Sequence, residues 1–134
     1  MGRGRKGKKN SMAKAKKNGK REYRIEMEII VDAYGPEEQA MGWYYYLEGK
    51  LHFPFTATCV AERAVSPLRK GDEVEIVSMG PEEECQHEMF VMMRWDRRGL
   101  AVPLSQLKPI AQTDKDTREA VEDWHYWLDQ GYVL

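Results

Sequence analysis

The chain has 134 residues, enough for one domain, with 21 Lys and Arg against 22 Asp and Glu. The near-cancellation hides a split: residues 1–21 hold ten basic residues and no acidic one, so the remainder carries a formal charge of −11. No apolar run approaches the roughly 18 residues of a membrane span, the first residues have no hydrophobic region of the secretory kind, and two cysteines are too few for a disulfide scaffold. A cytoplasmic setting with reduced thiols is the expectation.

The stretch 1–21 has no large apolar side chain except Met1 and Met12. It cannot offset the entropy of ordering by burial, so it reads as a disordered basic tail. Residues 22–134 then form a single acidic domain. Lys and Arg neutralise phosphates, which makes the tail a candidate arm for nucleic acid or an anionic surface. The bland reading has the same charges resting on the chain's own acidic body.

From Glu22 to Tyr34 the pattern is ambiguous. Ile25, Met27, Ile29 and Val31 alternate with charged residues as in a strand, yet Ile25, Ile29 and Ala33 recur at helical spacing. We read a helix. Gly35-Pro36-Glu37-Glu38 starts a second one, with Pro at the first helical position and acids in the first turn. Ala40, Tyr44, Leu47 and Leu51 give it a buried face. The run Trp43-Tyr44-Tyr45-Tyr46 surrounds it, and core packing is the better reading than a stacking platform.

After Phe53-Pro54-Phe55 the period changes to two. Strands are expected at Phe55–Ala61, around Val74 and Ile76, at Met89–Trp95, at Leu100–Val102 beyond a tight Arg98-Gly99 turn, and at Lys108–Ile110. Residues 103–107 suit one short helical turn. Five short strands at this spacing predict a small, partly open SH3-like β-barrel. The expected fold is α+β: N-terminal helices, this barrel, and a C-terminal helix. That last helix opens on a capping-box pattern at Thr113–Asp116, packs through Val121, Trp124 and Leu128, and stops at Gly131.

Catalytic templates are missing: there is no P-loop, no G-x-G-x-x-G, no G-x-S-x-G and no H-E-x-x-H. No enzyme is expected. Zinc on Cys85 and His87 with Cys59 and His52 lacks a recognised ligand spacing. Calcium fits better, because it takes six to eight oxygens. Gly-Pro-Glu-Glu occurs at 35–38 and again at 80–83. Asp32, Glu37 and Glu38 form one candidate ligand set, and Glu82, Glu83 and Glu84 a second, whose mutual repulsion a divalent cation relieves. The competing reading makes each run a solvated helix start. An EF-hand is excluded: a loop opening at Asp114 has Glu119 where Gly is required and His125 where a bidentate Glu is required.

The stretch from Glu28 through Trp43-Tyr44-Tyr45-Tyr46-Leu47 to Phe53-Pro54-Phe55 resembles the small calcium-binding proteins first described in cyanobacteria, a CcbP-like family without EF-hands. His87-Glu88-Met89-Phe90-Val91 and Leu100–Leu107 are similar to the same family. The resemblance implies a small acidic protein that buffers or handles cytoplasmic calcium through surface carboxylates. An interaction module, with a nucleic-acid-binding tail and a barrel that contacts a partner, is the alternative from another class.

Overall fold

The computed structural model describes residues 17–134, and most of the basic stretch therefore lies outside the described residues. Of its described part, residues 19–21 are helical. Asn18 caps α1 (Gly19–Arg24), its side-chain oxygen accepting the Arg21 N–H at 3.0 Å. The first helix thus begins inside the stretch read as tail, because Arg21 and Arg24 have acidic partners that local sequence does not reveal.

The chain continues without a break into a π-helical turn, Ile25–Ile29, closed by the Ile30 N–H on the Ile25 carbonyl at 2.9 Å. This wider turn resolves the ambiguous alternation. At about four residues per turn, positions two apart point to opposite sides. Ile25 and Ile29 are buried, whereas Met27 and Val31 face solvent.

Helix α2 (Pro36–Lys50) follows, with Pro36 at its start and Ala40, Trp43, Tyr44 and Leu47 buried. Helix α3 (Lys115–Asp129) is capped by Asp114, whose carboxylate accepts the Thr117 N–H at 2.9 Å. The cap is therefore Asp114 rather than Thr113. Gly131 follows with φ of 94°, and the Gly131 and Tyr132 N–H groups bond back to Leu128 and Trp127. Trp43 meets Trp124 and Trp127 at 5.1 and 5.5 Å between ring centroids, which joins α2 to α3.

Five antiparallel strands form the sheet: β1 (Phe55–Cys59), β2 (Glu73–Met79), β3 (Phe90–Trp95), β4 (Arg98–Pro103) and β5 (Leu107–Pro109). Their order is β4-β3-β2-β1-β5. This corrects the expected barrel, because β4 and β5 sit at opposite edges and do not pair, so the sheet is not closed. β5 is three residues long, pairs only with β1, and packs against α3. Phe55, Ala57, Cys59, Ile76, Val91, Met93 and Val102 form the sheet's contribution to one core shared with the helices. Trp95, which the alternation Met89, Val91, Met93 puts on the same face, runs past the core and is half exposed.

The buried face of α3 carries one acid, Asp123, with a fully buried side chain. Arg24 Nε and Nη2 bond its two oxygens at 2.9 and 2.7 Å, Arg21 Nε lies at 3.1 Å, and the Tyr46 hydroxyl donates at 2.6 Å. Three elements thereby share one carboxylate. Burial and this hydrogen bond push the Tyr46 phenol far above its ordinary range.

Candidate metal centre

Asp32 sits in the loop between the π-helical turn and α2, in the left-handed backbone region at φ of 59°. Asp is one of the few non-glycine types that tolerate this conformation. Pro36 opens α2 immediately afterwards, so Glu37 and Glu38 stand in its first turn. Glu38 Oε1 accepts the Tyr34 N–H at 3.0 Å, which ties the helix start back to the loop.

The three carboxylates line one pocket of about 370 Å³, together with Val31, Met41 and Gly42. Gly42 is required there by close approach. A Cβ at this position would lie 2.2 Å from the Ile29 carbonyl oxygen, so only glycine lets α2 pack on the π-helical turn. Asp32, Glu37 and Glu38 are all exposed.

The second predicted set forms a single 3₁₀ turn, Glu82–Glu84, with none of the three buried. Glu82 is held by the Tyr45 hydroxyl, which donates to its Oε1 at 3.0 Å. The neighbouring Tyr44 hydroxyl donates to the Gly80 carbonyl at 2.7 Å. Hydrogen bonding to Glu82 raises the Tyr45 phenol, with slight desolvation and the charges of Glu82 and Glu48 adding to it. Burial raises Tyr44, and the same group of acids, Glu48, Glu82 and Glu83, adds to the effect. Glu48 therefore belongs to this acidic surface, although sequence reading passed over it. Its signal was the i, i+3 spacing from Tyr45 on the same helix face.

The two sets are brought to different parts of α2. Tyr45 lies nine residues beyond Pro36, about 13 Å along the helix axis. Among the described residues, no three His, Cys, Asp or Glu side chains converge closely enough to hold a metal ion. The donor chemistry nevertheless suits a hard cation, since every candidate group offers oxygen and none offers thiolate or imidazole. The soft alternative has no such arrangement: Cys59 and Cys85 are buried, and Cys85 Sγ accepts the Phe90 N–H at 3.4 Å. Burial pushes the Cys85 thiol up, away from the thiolate that zinc requires.

The chain is thus a small α+β protein that exposes oxygen donors on a loop, a helix start and a 3₁₀ turn, the donor type that hard cations take. The pattern of the calcium-binding CcbP family matches residues 23–128, and the chain belongs to that family. Among solved structures it is similar to CcbP of Anabaena, at 40% identity with a TM-score of 0.80, over 92% of this chain and 100% of the other. It is also similar to a calcium-binding protein solved in its calcium-binding form, at 41% identity and a TM-score of 0.78, over 90% and 98% of the two chains. No curated protein matches it. No helix among the described residues is long and apolar enough to cross a membrane.

Proposed function

We propose that the chain is a non-enzymatic cytoplasmic calcium buffer that uses two separate exposed carboxylate sets. Asp32, Glu37 and Glu38 form the first, and Glu82, Glu83 and Glu84 the second, joined by the neighbouring Glu48. The observation that supports this reading is that Asp32, Glu37 and Glu38 line one pocket between the loop and the start of α2, within reach of a common ion only after their side chains move. The ion supplies positive charge that relieves the repulsion among these acids, and the chain's own part is to hold oxygens within reach.

Exposed acids complete a coordination shell only by side-chain movement and with water, so affinity falls in the sensor-to-extracellular range of about 10⁻⁶ to 10⁻³ M. The positive end of the α2 dipole works against a cation at Glu37 and Glu38, which lowers affinity at the first set further. Calorimetric titration of calcium into wild type, Asp32→Asn, and the triple Glu→Gln variant at 82–84 tests the assignment. Asn keeps the left-handed backbone and loses the charge, so Asp32→Asn weakens binding about tenfold or more at the first set. Unchanged affinity and stoichiometry in both variants would overturn it. Magnesium at equal concentration displaces calcium poorly, because loop carboxylates do not enforce its strict octahedron.

A further inference from the structure

The π-helical turn leaves an apolar line on the outside of the protein. Tyr23 is 65% exposed, Met27 52% and Val31 48%, four residues apart, and Tyr34 at 86% continues beyond them. The turn geometry that buries Ile25 and Ile29 directs Met27 to water, with Tyr23 one turn earlier in α1 and Val31 and Tyr34 in the loop that follows. Four exposed apolar side chains within twelve residues, on a segment anchored to the core through Ile25 and Ile29, suit an interaction site.

Beyond Tyr23 its surroundings are acidic, while the exposed Lys17 and Lys20 flank its start. Between Glu22 and Glu38 the exposed charged residues are Glu26, Glu28, Asp32, Glu37 and Glu38. The single base in that interval, Arg24, is committed to the buried Asp123.

We propose that this outer face is a docking surface for a basic amphipathic helix of another protein. Apolar anchors at helical spacing meet Tyr23, Met27 and Val31, and flanking Lys or Arg meet the acidic rim. The chain's own basic stretch supplies the charge but lacks the apolar face, since Met1 and Met12 are its only large apolar side chains. A partner with both properties fits; a purely cationic one does not.

The acidic rim includes Asp32, Glu37 and Glu38 of the first proposed calcium set, so the test is run on the full chain in calcium-free buffer, where no ion competes for them. The probe is a synthetic helical peptide with leucines on one face and lysines on the other, followed by amide NMR. Saturable binding with the largest shifts in residues 22–34 is expected. The double substitution Met27→Ser with Val31→Ser weakens it about tenfold, with an unchanged melting temperature because both side chains are exposed. Equal affinity for an all-lysine helix, shifts centred on Glu82–Glu84, or undiminished binding by the double variant would each overturn the assignment. So would concentration-dependent self-association abolished by the same substitutions, which would give the face to a second copy.

Discussion

Arg24 and Asp123 lie 99 residues apart in sequence and form a bidentate pair, Nε to Oδ2 at 2.9 Å and Nη2 to Oδ1 at 2.7 Å. The Asp123 side chain is inaccessible to water, while the Arg24 side chain retains 18% exposure. The pair fastens the first helix to the last, and with it the loop that carries Asp32. The hydrogen bond to Asp123 and the charges of Asp123 and Glu119 outweigh desolvation and hold Arg24 far above its ordinary range.

Removing this carboxylate leaves Arg24 and the Tyr46 hydroxyl without their shared acceptor and Arg21 without one of its counter-charges. Asp123→Ala therefore destabilises by about 3–5 kcal/mol, the cost of breaking a buried pair from one side. Denaturant unfolding measures it. Asp123→Asn keeps acceptor geometry on one oxygen and loses less. A cost below that of an ordinary exposed ion pair would show that α1 is held by its apolar contacts alone.

Gly42→Ala sets two effects against each other. Helix propensity favours Ala by about 1 kcal/mol, but the new Cβ meets backbone oxygen at 2.2 Å, and backbone cannot rotate aside. Overpacking of about 1–3 kcal/mol adds to displacement of the π-helical turn. The variant is expected to melt lower and to bind calcium more weakly, because the pocket between Asp32 and Glu38 is built on this contact. A higher melting temperature would mean that the two helices separate freely.

The Tyr45 phenol reports on the second acidic set. Its hydroxyl donates to a carboxylate only while protonated, so the bond favours the neutral form and phenolate appears above the ordinary pH. Glu82→Gln weakens that bond and lowers the Tyr45 titration. Calcium on Glu82 does the same by competing for the oxygen and adding positive charge. Ultraviolet or NMR titration of Tyr45 with and without calcium decides the matter; coincident curves remove Glu82 from the ligands.

Asp114 links pH to stability. Desolvation raises its carboxyl, but the Thr117 N–H and hydroxyl together with nearby His52 more than offset this and hold it below its ordinary value. A folded value below the unfolded one gives stability that is fully present above the unfolded Asp range and fades as pH falls through the folded value. Asp114→Ala loses about 1 kcal/mol of capping at neutral pH. Asp114→Asn keeps a cap without a charge and flattens the acid slope. Parallel acid profiles for Asn and wild type would place the pH dependence elsewhere.

Most of the regular elements were legible because their causes are local. Pro36 with its following acids marks the start of α2, and the Thr113–Asp116 capping pattern and Gly131 bracket α3, with the cap one residue later at Asp114. Alternation marks the strands, although Arg98-Gly99, read as a tight turn, opens β4 and the turn falls at Asp96-Arg97. The buried sides of α2 and β1 also follow from spacing, since Ala40, Tyr44, Leu47 and Leu51 are inside together, as are Phe55, Ala57 and Cys59. The residues around Trp43–Leu47 carried the family resemblance, and the family pattern matches. The carboxylates of the candidate sites were legible as a composition, Asp32 with Glu37 and Glu38 as sequence neighbours of one turn.

Tertiary structure decided the rest. The register of Ile25, Met27, Ile29 and Val31 stayed open in the sequence, since their alternation fits a strand or a helix; docking of Ile25 and Ile29 on the core selects the π-helical turn and turns Met27 and Val31 outward. The first helix starts at Gly19 because Arg21 and Arg24 find Asp123 and Glu122, partners about a hundred residues away. Tyr45 and Glu82 meet only when α2 packs near β2. Closure of the sheet likewise depends on how its edges are covered, and here α3 against β5 takes the place of a strand. Propensity and periodicity act over one or two turns of chain, whereas ion pairing, burial and edge pairing depend on distances that exist only after the chain has folded.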